Sequence, residues 1–418
     1  MTYTARFEQI SARSYKAFAE DELLPLRPLT VVFGANGSGK SALCRLPVAL
    51  GAALRVDAGA AAALPLEVGD LSFGSSFFDL RHGDGTRDFT VGLRVRRPSG
   101  EITTLLATIG QDPQSRSSHP RQWVERWTLS TTNDSTVDLR WSSSDKKYKK
   151  NDSGLVDVSF SGLLPRDSSG ASIPEAHPLR DIPPIVRLAP TRDGTSGELG
   201  EHRPEPGLHV GSDGSQTLDI LGTLKAERED EALNAIISDV RDVLGVELLV
   251  DELAVGTLTR FAVRGRRQGR EHLVPVDQLG TGLAHALPII TQHALASSSQ
   301  AVITLPGLLI SEEPEAHLHP EAQAYLADVV IRAAQSERTQ CLVETHSETF
   351  VLRIRRRVAE GSLDPSQVAF VWVDDDGPST RTQYLEIKAD GSIPDWPENW
   401  FDAPTDEVRA IHRARSSR

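Results

Sequence analysis

Four short apolar runs stand out along the chain, each closed by a turn or a polar cluster: Leu29, Val31, Val32 and Phe33; Ile185, Val186 and Leu188; Leu308, Leu309 and Ile310; and Cys341, Leu342 and Val343. Runs of this length without alternation predict strands buried on both faces, as in a parallel sheet. Elsewhere the pattern has period two. Phe89, Val91, Leu93 and Val95 alternate, R-P-S-G-E turns the chain into residues 102–109, and residues 123–130 and 136–141 read as a hairpin around T-N-D-S. Residues 7–18 and a second extended segment from Leu23 read as a shorter hairpin. Helical spacing follows the first apolar run at Leu43, Leu46 and Leu50, with Pro47 inside a helix expected to reach about Ala60. It returns over residues 216–244, stopped by Gly245, and after Pro320 at Leu326, Val329 and Val330.

These elements predict an α/β fold with a mainly parallel sheet. Residues 1–65 and 301–418 form two parts of one head, 66–185 a β-rich insertion lobe, and 186–300 a helical subdomain. Ser, Asp and Gly crowd residues 142–172, which predicts a loop there. The cluster of Lys146, Lys147, Tyr148, Lys149 and Lys150 is expected at a solvated loop tip, with a nucleic-acid contact stacked on Tyr148 as the alternative. Arg264, Arg266, Arg267 and Arg270 are expected at another solvated tip.

The chemistry gathers where the apolar runs end. The first run closes on G-A-N-G-S-G-K-S, residues 34–41, with the G-x-x-x-x-G-K-[ST] spacing between a strand and a helix. Glycines permit a tight turn whose N–H groups, from Ala35 to Lys40, curl around a phosphate at a positive helix end. Lys40 would reach the β- and γ-phosphates, and the Ser41 hydroxyl would ligate a bridging Mg2+. The third run delivers two adjacent carboxylates. In a phosphate-loop ATPase the first, Glu312, holds Mg2+ and the second, Glu313, activates the attacking water. Glu315 and Glu321 read instead as acidic caps before a helix. The fourth run ends in T-H-S, where His346 would hydrogen-bond the γ-phosphate or the water. Gly280, Thr281 and Gly282 form a glycine turn opening an apolar helix, suited to an anion other than the one held by the chain's own lysine loop. His317 and His319, two apart, lack the helical spacing of a zinc pair.

Composition narrows the setting. The 418 residues are 39% hydrophobic, enough for a sizeable core. The net charge of −13 argues against nucleic-acid binding over the whole surface. Two cysteines, Cys44 and Cys341, lie in apolar segments and indicate neither a disulfide framework nor a thiolate metal site. With no apolar stretch of signal-peptide or membrane-span length, a cytoplasmic protein without membrane contact is expected.

In order, Y-K-A-F, G-A-N-G-S-G-K-S, L-G-T-G, E-E-P-E-A-H-L-H-P and V-E-T-H-S resemble the ABC-type P-loop ATPase heads of the SMC, RecF and OLD group. The set is most similar to bacterial AAA-family ATPases with a short C-terminal domain of unknown function, many encoded in anti-phage defence systems; their closing pattern is similar to residues 391–402. This resemblance implies ATP and Mg2+ as cofactors. Gly34, Ala35, Asn36, Gly37, Ser38, Gly39, Lys40, Ser41 and Ala42 would bind ATP, Ser41 and Glu312 would hold the metal, and Glu313 and His346 would be catalytic. Gly280, Thr281 and Gly282 would be the signature loop acting in trans, and His319 would stand at the D-loop. It implies a homodimer or higher oligomer through ATP-sandwiched heads, and a protein partner such as an effector nuclease or toxin. An ATP-gated DNA clamp of RecF or SMC type is the alternative. The sequence departs from the family in carrying Glu312 for an aspartate, Ala284-His285 for a Ser-Gln pair, and no Q-loop glutamine within residues 73–80. No TOPRIM nuclease domain would fit after His346.

Overall fold

The computed structural model describes residues 5–55, 62–83, 88–112, 121–132, 136–195, 200–201, 209–255, 258–298, 307–375 and 380–397. Its centre is a six-stranded sheet in the order Ile185–Leu188, Leu308–Glu312, Gln340–Glu344, Leu29–Gly34, Val368–Asp374 and Arg381–Leu385. Every neighbouring pair is parallel except the last. All four apolar runs of the sequence are therefore strands of one sheet. Their lack of alternation follows from burial on both faces. Leu29, Val31 and Phe33 enter a core built with the helices, and Val32 enters a second core shared with the helix Lys40–Ala53 and the β-rich layer.

That β-rich layer is an eight-stranded antiparallel sheet from Glu22–Pro25 at one edge to Gly154–Val156 at the other. It takes in the N-terminal hairpin, since Arg6–Arg13 pairs with both Glu22–Pro25 and Asp88–Arg96. Gln340, the first residue of a central parallel strand, joins the two sheets. Its side-chain oxygen accepts from the Phe7 N–H and its amide donates to the Phe7 carbonyl, both at 2.8 Å.

Several expectations change. The segment 142–172 is not a loop, because it carries the strands Lys147–Lys150, Gly154–Val156, Ser159–Ser161 and Leu164–Arg166. Tyr148 is 2% exposed, stacks on Trp123 and donates to the Val124 carbonyl at 2.6 Å, so its ring is not available to a base. The period of two explains this: in K-Y-K the lysines point out and the tyrosine points in. Arg264 and Arg266 lie within the strand Leu258–Arg267 and pair with Asp251 and Glu247 of the neighbouring strand. The helix after the phosphate loop ends at Ala53, short of Ala60, where the Ala53 carbonyl accepts from the Leu163 N–H at 3.0 Å. Residues 216–244 divide into Thr217–Ala226 and Asp230–Leu244, broken by Arg228 at φ +56°, and Gly245 caps the second in a left-handed conformation. Among the described residues no helix is long and apolar enough to cross a membrane. The end of the 391–402 pattern, from residue 398, lies outside them.

Candidate functional site

The strand Leu29–Gly34 is buried throughout and feeds a turn that needs its glycines. A Cβ on Gly34 would lie 2.2 Å from the Val373 carbonyl oxygen, and one on Gly39, at φ +93°, would lie 2.8 Å from the Ala17 Cβ. Ala35, Asn36 and Gly37 are exposed at the crest, and the helix Lys40–Ala53 opens directly behind them with no acidic residue in its first turn. The loop thus presents N–H groups at a helix end free of negative charge. Lys40 folds back over its own loop: Nζ donates to the carbonyls of Ala35 at 2.6 Å and Gly34 at 3.1 Å. Burial draws its pKa below the ordinary lysine value, opposed chiefly by the charge of Glu344 and also by Glu313. The Ser38 hydroxyl is buried without a hydrogen-bond partner among the described residues.

Glu312 and Glu344 end neighbouring parallel strands in register, yet their environments differ. Glu312 accepts from Arg45 at 2.8 and 2.7 Å and from Arg187 at 2.7 and 3.0 Å, so two guanidiniums grip both of its oxygens. Burial works to raise its pKa, but these hydrogen bonds and charges outweigh it and hold the group below the ordinary glutamate value. The sequence reading assigns the metal to Ser41 and Glu312, and both Glu312 oxygens are held by these arginines. It is Glu344 Oε1 that accepts from the Ser41 hydroxyl, at 2.5 Å. Glu344 is 3% exposed, its Oε2 has no hydrogen-bond partner among the described residues, and burial pushes its pKa up to about 7 despite the Ser41 bond. The signal in the sequence was a charged residue closing an otherwise apolar run.

Glu313 leaves the strand at φ +44°, a conformation costly for a residue with a Cβ, and its N–H donates to the Glu344 carbonyl at 2.8 Å. Its half-buried side chain and Lys40 lie within electrostatic reach of each other, and His346 feels both. Desolvation, and then the charge of Lys40, lower the His346 pKa, which favours the neutral imidazole.

Two residues hold this arrangement, one that the sequence reading gave another role and one that it passed over. Glu315, expected as a helix cap, is instead buried and accepts from the Thr345 hydroxyl at 2.6 Å and from the His346 N–H at 2.8 Å, fixing the turn that carries the histidine. Arg192, in the stretch A-P-T-R-D-G, is 2% exposed, and burial draws its pKa down to about 10. It donates to the carbonyls of Glu312 at 2.8 Å, Glu313 at 3.0 Å and His285 at 3.1 Å, and to that of Ala189. One guanidinium thereby ties the glutamate turn to the glycine-turn helix.

That helix, Thr281–Ser297, starts behind Gly280 at φ +103°; Gly280 and Thr281 are exposed. Gly282 packs beside the His317 carbonyl, and the His285 and His317 rings lie 4.2 Å apart. Gly282, His317, His319 and Tyr325 line one side of a cleft of about 640 Å3. The glycine turn therefore faces outward, beside this cleft.

A family model described as "AAA domain, putative AbiEii toxin, Type IV TA system" matches residues 29–353. The OLD nuclease of Thermus scotoductus (strain ATCC 700910 / SA-01) is 24% identical over 140 residues. That match covers 32% of this chain and 26% of the relative, so the chain spans about a quarter of the relative's length. Among solved structures, an SmcHead bound to the C-winged helix domain of ScpA is similar at 12% identity and a TM-score of 0.52, covering 92% of this chain and 98% of that one. The SMC head domain from Thermotoga maritima follows at 13% identity, a TM-score of 0.46, and 91% and 100% coverage. At these identities the likeness concerns the fold, that of a P-loop ABC-type ATPase head.

Proposed function

Since the chain belongs to the family described as AAA domain, putative AbiEii toxin, Type IV TA system, and is an SMC- and OLD-like ABC-type AAA ATPase, we propose that it binds ATP with Mg2+ and hydrolyses it to ADP and phosphate. The observation that carries this reading is the glycine loop that opens the helix Lys40–Ala53, set beside the ends of the parallel strands that lead to Glu313 and His346. Lys40 exchanges its two loop carbonyls for phosphate oxygens, and the N–H groups of residues 35–40 hold the rest of the phosphate chain. Glu313, half-buried and turned off its strand, takes a proton from the attacking water. Neutral His346 donates a hydrogen bond to the γ-phosphate or orients that water. The buried Glu344 oxygen without a partner, beside the Ser41 hydroxyl, is a hard oxygen donor that fits Mg2+. When bound, the ion supplies positive charge to the phosphate oxygens during transfer.

The roles separate by mutation. Lys40→Ala should weaken ATP binding, read by fluorescent-nucleotide titration. Glu313→Gln should keep ATP while slowing hydrolysis by roughly 10²- to 10⁴-fold, the usual contribution of a general base. Equal loss of binding in both variants would contradict this division.

The outward-facing turn at Gly280, Thr281 and Gly282 supports a head-to-head dimer in which each turn meets the ATP of the other subunit. A two-fold interface of that kind forms two equivalent sites. Mixing Lys40→Ala with Gly282→Asp chains, each inactive alone, should restore partial ATPase activity, because the mixed dimer contains one intact composite site. Absence of recovery in mixed dimers verified by native mass spectrometry counts against the trans arrangement. The family description and the OLD likeness support a role as sensor or motor subunit of an anti-phage defence complex. A solved Smc head carries a bound protein domain, which supports a protein partner here, proposed to be a nuclease or toxin effector.

A further inference from the structure

We infer that Glu344, together with Ser41, is the protein carboxylate that holds the divalent cation, and that Glu312 is instead a fixed ion-paired support. This rests on the ATPase reading and assigns the metal within it.

The argument is one of lone pairs and burial. A carboxylate offers about four acceptor sites on its two oxygens. At Glu312 four guanidinium N–H groups, from Arg45 and Arg187, take them. To reach a metal, Glu312 would have to abandon both arginines, and Arg187 is itself nearly buried, with only 8% of its side chain exposed. Leaving a buried charge without its partner is among the costlier changes a structure can undergo.

Glu344 presents the opposite case. One oxygen holds the Ser41 hydroxyl at 2.5 Å, which places it at the start of the phosphate-loop helix. The other is buried with no hydrogen-bond partner among the described residues. A buried carboxylate oxygen that the protein leaves unpaired is a hard donor suited to a divalent cation. Lys40 does not hydrogen-bond that oxygen in this structure; its amine donates to the Gly34 and Ala35 carbonyls. Mg2+ prefers few protein ligands, typically one or two carboxylates with substrate phosphates and waters. Ser41 with Glu344 supplies that number, and Glu313 stays free for the water.

The test uses Mn2+ as the probe, with a non-hydrolysable ATP analogue, read by the EPR signal of bound Mn2+ and by nucleotide affinity in Mn2+ against EDTA. Glu344→Gln should lower Mn2+ affinity by at least the roughly 10- to 100-fold seen on disturbing a metal's surroundings. Its affinity for the analogue in EDTA should match the wild type. Glu344→Asp should recover part of the loss, and Ser41→Ala should resemble Glu344→Gln. Circular dichroism checks that each variant is folded. Wild-type Mn2+ affinity in folded Glu344→Gln overturns the assignment while leaving the ATPase reading intact. If the wild type binds no nucleotide with or without Mn2+, the ATPase reading falls and takes the assignment with it.

Discussion

The two large sheets treat charge in opposite ways. In the antiparallel sheet, charged residues lie along the strands on an exposed face, as in Arg94 and Arg96 with Glu8 and Arg126 with Asp138. In the central sheet the strands Leu308–Glu312, Gln340–Glu344 and Leu29–Gly34 are buried from end to end, and their ionisable groups stand at the C-terminal ends or just beyond. The contrast follows from packing. A sheet with one face in water tolerates charge at every second position, whereas one covered on both faces admits it only where the strands stop. Crest charges such as Glu312 and Glu344 are therefore desolvated and hard to replace, and charges on the antiparallel sheet can be exchanged at small cost.

Mutation can break this contrast. The largest effect is expected for Glu312→Ala, which takes from Arg45 and the nearly buried Arg187 the carboxylate they share and leaves Arg187 only the half-exposed Asp70 at 3.4 Å; removing one partner of a buried ion pair costs about 3–5 kcal/mol. Denaturant midpoints would measure it, and a loss no larger than that of a surface pair would erase the distinction. A smaller, pH-dependent effect belongs to His293, fully buried in the helix Thr281–Ser297, where Nδ1 donates to the Ile289 carbonyl at 2.8 Å. Burial draws its pKa from 6.5 down to about 4. The folded state thus binds this proton later than the unfolded chain does. Stability from the neutral ring is complete above pH 6.5 and is lost as pH falls through 4, by up to about 3 kcal/mol. His293→Gln should flatten the acid limb of a pH series of thermal melts by that amount; an unchanged slope would remove His293 from the account. The smallest effect is expected for Arg126→Ala, whose partner Asp138 lies at 2.8 Å on the exposed face. The change should cost less than about 1 kcal/mol and shrink further in high salt.

What the sequence disclosed was local. The phosphate loop was legible because its glycines, lysine and serine are consecutive, and the strands were legible because double-sided burial writes an unbroken apolar run. What stayed hidden depended on distance along the chain. Arg45, Arg187 and Glu312 are brought together from three separate segments, and no spacing rule joins them. The choice between Glu312 and Glu344 rests on those two arginines. Arg192 was hidden because its partners are backbone carbonyls, which leave no mark on residue identity. Tyr148 was misjudged for another reason: its neighbours are lysines, and composition masked a period of two that its buried ring makes plain.

The double hydrogen bond between the Gln340 side chain and the Phe7 backbone has a mechanical consequence. Gln340 begins a strand of five residues whose last is Glu344, hydrogen-bonded to Ser41. At roughly 3.3 Å per residue, an extended strand of this kind is a stiff strut without a flexible joint. One end is pinned to the antiparallel lobe and the other stops at the phosphate loop. Sliding the lobe's Arg6–Arg13 strand must either break both amide contacts or drag the strut with it, so a load applied to the lobe is delivered to the carboxylate beside Ser41.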